Sequence, residues 1–140
     1  MIKRLFCFVV LIFMSATSFG QELKCKKFKT GTFIIPGDSI VPQSTLKRNN
    51  TSQIESISET ESVELDIEWV DDCNYVLKLS KSKPRKAISE IEKTIDKEGG
   101  LRIQMLRTVK DTMYFRAKST INGKEYPIDG YQIKVSKDYK

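Results

Sequence analysis

The chain has 140 residues, with 24 basic side chains against 18 acidic ones, no histidine, and 39% hydrophobic residues. That length suits one domain, and the missing imidazole excludes Ser-His-Asp and Cys-His nucleophile systems, His-ligated zinc or haem, and the usual near-neutral acid–base group. The formal charge of +6 is mixed along the chain, which reads as a solvated surface and argues against a nucleic-acid partner.

Residues 1–20 have the layout of a secretory signal peptide. Lys3 and Arg4 precede an apolar run from Leu5 to Met14, and small residues end at Ser18-Phe19-Gly20. The run is too short for a spanning helix, which needs about 20 apolar residues. Cleavage after Gly20, with Ala16 as the alternative site, predicts a single secreted β domain over 21–140, periplasmic or extracellular, with no stable membrane span. The leader holds two basic and no acidic residues, so the charge falls from +6 to +4. Neither Cys7 nor Cys25 has the small and apolar residues before it that a lipoprotein cut requires. Cys7 leaves with the leader, and Cys25 and Cys73 remain as an even pair in an oxidising compartment, which predicts a disulfide.

In chain order, Phe28 to Ile35 reads as a strand interrupted by Gly31, with Pro36-Gly37-Asp38 ending it. Ile40-Val41, Thr45 to Arg48 and Gln53 to Ile57 are weaker strand signals, with Asn49-Asn50 as a turn between the last two. Val63, Leu65, Ile67 and Trp69 alternate with Glu64, Asp66 and Glu68, the period-two pattern of a half-buried strand. Asp71-Asp72-Cys73-Asn74 turns the chain into Tyr75, Leu77 and Leu79, whose outward Lys78 can meet an acidic partner across the hairpin. Ser82 and Pro84 then open a helix expected over about 84–97, with Ala87, Ile88, Ile91 and Ile95 on one face and Gly99-Gly100 closing it. Strand signals return at Leu101 to Arg107, Met113 to Lys118 and Tyr131 to Ser136, with turns at Lys110-Asp111-Thr112 and Asn122-Gly123. The sum is a mainly β chain: an antiparallel meander forming a curved sheet or small barrel, with the short helix packed on it.

Little in this pattern carries chemistry. Asp71 and Asp72 are adjacent acids that could hold a weak ion site or shift each other's pKa. The flanking residues lack the alternating ligands of a calcium loop, which favours a turn whose side chains cap backbone amides. Glu64, Asp66 and Glu68 form an outward acidic stripe, read either as a docking face for a basic partner or as a solvated face paired with lysines. Trp69 reads as core. Ser39 and Thr112 sit in Asp-Ser-Ile and Asp-Thr-Met triplets that match a short bacterial O-glycosylation pattern. No metal site, cofactor site or catalytic residue is indicated.

The segments Cys25-Lys26-Lys27-Phe28-Lys29-Thr30-Gly31-Thr32-Phe33 and Glu68-Trp69-Val70-Asp71-Asp72-Cys73-Asn74-Tyr75 resemble an uncharacterised family of small exported proteins from flavobacteria-like organisms. Some members of that family carry the name DNA topoisomerase IV. A type II topoisomerase needs an ATPase site, a nucleophilic tyrosine with an arginine partner, and acidic magnesium ligands, and this chain is too short for that machinery. Gly31-Thr32-Phe33 also resembles the Gly-x-Trp opening of lipocalin-like barrels, with Phe33 in place of the Trp. The resulting expectation is a non-catalytic binding or envelope-associated β domain, monomeric, with an envelope protein as partner. The alternative is a lipocalin-like carrier of a small apolar ligand, and a carboxylate-dependent hydrolase is a distant third.

Overall fold

Eight antiparallel strands follow one another around a closed barrel in the computed structural model, which describes residues 22–56, 58–82 and 88–139. They are β1 (Gly31–Ile35), β2 (Ser44–Arg48), β3 (Ser52–Ser56), β4 (Ser62–Trp69), β5 (Asn74–Leu79), β6 (Leu101–Val109), β7 (Thr112–Ile121) and β8 (Lys124–Val135). Each strand pairs with the next, and β8 returns to β1 through Ile133, Lys134 and Val135. The meander expected from the strand spacing is therefore a small barrel. The leader expected over residues 1–20 lies outside the described residues, as do Pro84 and Ala87 of the expected helix.

The alternation along β4 and β5 decides which side chains enter the barrel. Ile67, Tyr75 and Leu77 are buried, as are Phe33, Leu46, Ile103, Met105 and Met113 from the other strands. Trp69 joins them half-buried, its ring 4.7 Å from that of Tyr75 and its Nε1 donating to the Asn50 carbonyl at 3.1 Å.

One end of the barrel, called the base here, is where β1 begins and β8 ends. A 3₁₀ turn over Cys25–Phe28 crosses it and drives Phe28, fully buried, against Phe33 at 6.3 Å between ring centroids. The expected disulfide between Cys25 and Cys73 fastens this turn to the β4–β5 connection, with Cα atoms 5.1 Å apart. The strand expected from Phe28 is corrected: it starts at Gly31, whose φ of 134° turns the chain from the 3₁₀ segment into β1. Lys134 on β8 lies where a side chain at Gly31 would go. Its Nζ donates to the Lys27 and Thr30 carbonyls at 2.6 and 2.9 Å, closing the first and last strands over the base.

At the opposite end sits the helix α1 (Glu90–Lys97). It starts later than the sequence suggests. Ile88 and Ser89 are not helical, and the N-cap is Ser89, not Ser82. Ser89 Oγ accepts from the Glu92 N–H, and the Glu92 carboxylate accepts from the Ser89 N–H at 2.9 Å, a reciprocal capping box that outcompetes the more distant Ser82. Asp96 accepts from the Leu79 N–H at 2.7 Å, and Glu98 accepts from the Asn122 and Gly123 N–H groups at 2.8 and 3.0 Å. These bonds tie α1 to the end of β5 and to the β7–β8 turn.

Two further strand expectations are corrected. Ile40 and Val41 form no strand; they project from a turn in which Asp38 Oδ1 accepts from both of their N–H groups. The last strand begins at Lys124 and not at Tyr131. Pro127 does not interrupt it, because a proline is tolerated where its missing N–H faces no partner strand. Gly130 keeps it flat against the Phe115 ring, which a Cβ there would approach to 2.8 Å.

Candidate ligand-binding site

The interior divides into a polar base and an apolar helix end. In the base Arg48 is 4% exposed and shares the inner face of β2 with buried Ser44 and Leu46. Its Nε donates to Gln53 Oε1, Nη1 to the Phe28 carbonyl and Nη2 to Gln132 Oε1, each at 2.9 Å. The guanidinium also lies 4.8 Å from the Phe33 ring centroid and 4.9 Å from that of Tyr75. Burial lowers the Arg48 pKa from its usual value, with the Tyr75 hydroxyl opposing that shift, and burial raises the Tyr75 pKa. A buried charge persists when its donors find acceptors, and here neutral amides and a backbone carbonyl supply them. This cluster joins β2, β3, β8 and the 3₁₀ turn across the barrel floor. Sequence reasoning missed it. The signal was the alternation of Ser44, Leu46 and Arg48, which puts Arg48 on the inner face with Leu46.

The helix end is different. Leu65, Leu77, Leu79 and Leu101 line a half-open cavity of about 150 Å³, with Ile95, Glu92 and Asp96 of α1 on its other side and Lys78 and Gly100 also lining it. Gly100 has φ of 85°, and a Cβ there would meet the Leu77 carbonyl at 2.6 Å, so the chain leaves α1 pressed against β5. That volume is on the scale of a benzene-sized molecule.

The acidic residues singled out from the sequence are engaged elsewhere. Asp71 Oδ1 accepts from the Cys73 N–H at 2.7 Å, and both Asp71 oxygens accept from Asn74 Nδ2 at 2.9 Å. Those bonds, Asn74 first, hold its carboxyl below the usual carboxylate value. The Lys29 ammonium does the same for Asp72, with a 3.0 Å contact, and Lys26 stands 3.8 Å away. The two carboxylates thus have separate partners. Among the described residues no three His, Cys, Asp or Glu side chains converge as metal ligands.

On the outer face of β4, Glu68 pairs with Lys78 at 3.1 Å, and Asp66 accepts from the Lys81 N–H at 3.2 Å. Lys78 stands opposite Asp66 in register but reaches diagonally to Glu68. Glu64 shares that face and is half-buried. Ser39 is exposed in the β1–β2 turn, whereas Thr112 is half-buried at the start of β7. The structure brings neither the acidic stripe nor these two hydroxyls to the cavity.

No family model, curated protein or solved structure matches this chain. Among the described residues no helix is long and apolar enough to cross a membrane.

Proposed function

We propose that the protein is an exported, non-catalytic binding domain that holds a small apolar molecule at the helix end of the barrel, in the manner of a lipocalin-like carrier. The observation that carries this reading is the leucine-lined cavity of about 150 Å³ beneath α1. The base is plugged by Phe28 and the Arg48 cluster, which leaves the helix end to admit a ligand. A short capped helix is a suitable lid, since Asp96 and Glu98 hold it to the barrel by a few exposed or half-buried bonds. The disulfide between Cys25 and Cys73 favours an oxidising compartment. Engagement of Glu68 by Lys78 and of Asp66 by a backbone amide supports this reading over an acidic docking face for an envelope protein.

The test is a melting-temperature series with apolar ligands graded from benzene-sized aromatics to long-chain fatty acids. Ligand at a hundredfold excess over Kd stabilises by about 2.7 kcal/mol, so a site of this volume should give its largest upward shift with the small members. Ile95→Phe, which fills the space from the helix side, should remove the shift while the barrel still folds. An unchanged melting temperature across the series overturns the proposal.

A further inference from the structure

The last strand outruns its neighbour. β8 pairs with β7 along its length, from Lys124 opposite Ile121 to Ile133 opposite Thr112, but with β1 only at Ile133, Lys134 and Val135. Lys134 donates its N–H to the Asp111 carbonyl on the β7 side. Backbone groups alternate in direction along a strand, and the β7–β8 register runs without a shift. Even-numbered residues of β8 therefore bond to β7, and Glu125, Pro127, Asp129 and Tyr131 turn their backbone groups to the open side. These four residues are exposed, as are Tyr126 at 43% and Ile128 at 69%. Among the described residues no backbone group bonds the free side of this stretch.

An edge of this kind is a template for another strand. We infer that the strand is β8 of a second copy of this chain, antiparallel about a two-fold axis. Three centred registers are available, and the side chains select one. Setting Glu125 opposite the second copy's Asp129 opposes like charges and puts proline against proline, with no donor at the axis. Setting Asp129 opposite Asp129 again opposes like charges, which destabilises a pair. Setting Glu125 opposite Tyr131, and Pro127 opposite Asp129, does neither.

In that third register Ile128 meets Ile128 on the inner face, and Tyr126 covers the bare backbone of Gly130. Glu125 and Tyr131 exchange bonds in both directions, and Asp129 donates to the Pro127 carbonyl. Pro127 shortens the ladder without closing the edge. The outer face is already neutralised: Arg116 holds Asp129 at 2.7 and 2.9 Å, while Arg102 and Lys118 hold Glu125 at 2.9 and 3.3 Å. The copies thus join without burying an unpaired charge. The pairing is isologous and closes on itself as a dimer.

Sedimentation of the full exported chain over a concentration series tests this. The expected result is a particle of two chains that becomes one chain in Ile128→Lys, which sets two ammonium groups against each other at the axis. Ile128 is exposed and its backbone bonds to β7, so this variant keeps the barrel. Ile128→Cys supplies a second readout. Residues facing one another in a non-hydrogen-bonded pair have Cα atoms about 4.5 Å apart, inside the disulfide range of roughly 4.4–6.8 Å. Ile128→Cys should cross-link into a covalent dimer under mild oxidation, while Ile91→Cys on the exposed face of α1 should not. A single-chain particle at all concentrations, or cross-linking no greater for Ile128→Cys than for Ile91→Cys, overturns the inference.

Discussion

Arg48 donates from Nη2 to Oε1 of Gln132 at 2.9 Å, joining β2 to β8 inside the barrel across 84 positions of sequence. Both residues are nearly inaccessible, at 4% and 3% exposed. A strand pair at the barrel wall fixes only neighbours, whereas this bond fixes two strands that do not touch in the ladder. It also explains why a guanidinium can occupy the floor: Gln53, Gln132 and the Phe28 carbonyl accept its hydrogen bonds.

Arg48→Ala should therefore be among the most damaging substitutions. It leaves buried acceptors on Gln53, Gln132 and Phe28, each costing about 1–3 kcal/mol when unpaired. A loss of at least about 3 kcal/mol is expected in denaturant unfolding. Arg48→Met combined with Gln132→Leu should recover part of it, because it removes one of the three acceptors, leaving only Gln53 and the Phe28 carbonyl unpaired.

Reduction of the disulfide should lower stability by about 4 kcal/mol on the chain-entropy model, since Cys25 and Cys73 lie 48 positions apart. Parallel urea melts with and without reductant measure this directly. A midpoint that does not move would mean that the 3₁₀ turn holds the base without the covalent link.

Acid should destabilise the protein through its paired carboxylates. Arg116 lowers the pKa of Asp129, Lys27 that of Asp111, Asn74 that of Asp71, and Lys29 that of Asp72, each from an ordinary 3.8. A carboxyl whose folded value lies below its unfolded value stabilises above the unfolded value, and that contribution is lost as pH falls through the folded one. Stability should hold from neutral pH down to about 4 and decline below it. Asp129→Asn should flatten part of that decline, as read by melting temperature against pH. These groups are solvent-exposed, so salt should weaken the effect.

Ser89→Ala should release the capping box at α1. The loss is about 1 kcal/mol of helix stability, and its mark should be local: faster amide exchange from Glu90 to Lys93, with β5 and β6 unaffected. If α1 is the lid of a ligand cavity, the same variant should speed ligand release more than it lowers the melting temperature.

Gly31→Ala should be costly beyond its single methyl group. The position has φ of 134°, and the new Cβ would lie 2.7 Å from Lys134 Cε. Strain of this kind costs on the order of 1–3 kcal/mol. Lys134→Ala should destabilise the parent but relieve part of the Gly31→Ala defect, a coupling that a double-mutant cycle measures.

The sequence by itself determined the strands whose inner and outer faces alternate. Val63 to Trp69 and Tyr75 to Leu79 were legible because a strand with one buried face must repeat every two residues, and Asn122-Gly123 because both turn positions favour positive φ. The pairing of Cys25 with Cys73 followed from reading residues 1–20 as a leader, which leaves two cysteines in the rest of the chain. The tertiary structure alone decided that the meander closes, because closure depends on how β8 meets β1, a contact between residues some hundred positions apart that leaves no local period. It also decided that Arg48 is buried, which a charge beside Lys47 in a short strand does not announce until Gln53 and Gln132 arrive from other strands to accept its hydrogen bonds. The start of α1 at Ser89 was set by the reciprocal bonds with Glu92. The cavity under that helix exists only where four leucines of β4, β5 and β6 converge, and the free edge of β8 only because β1 stops short beside it.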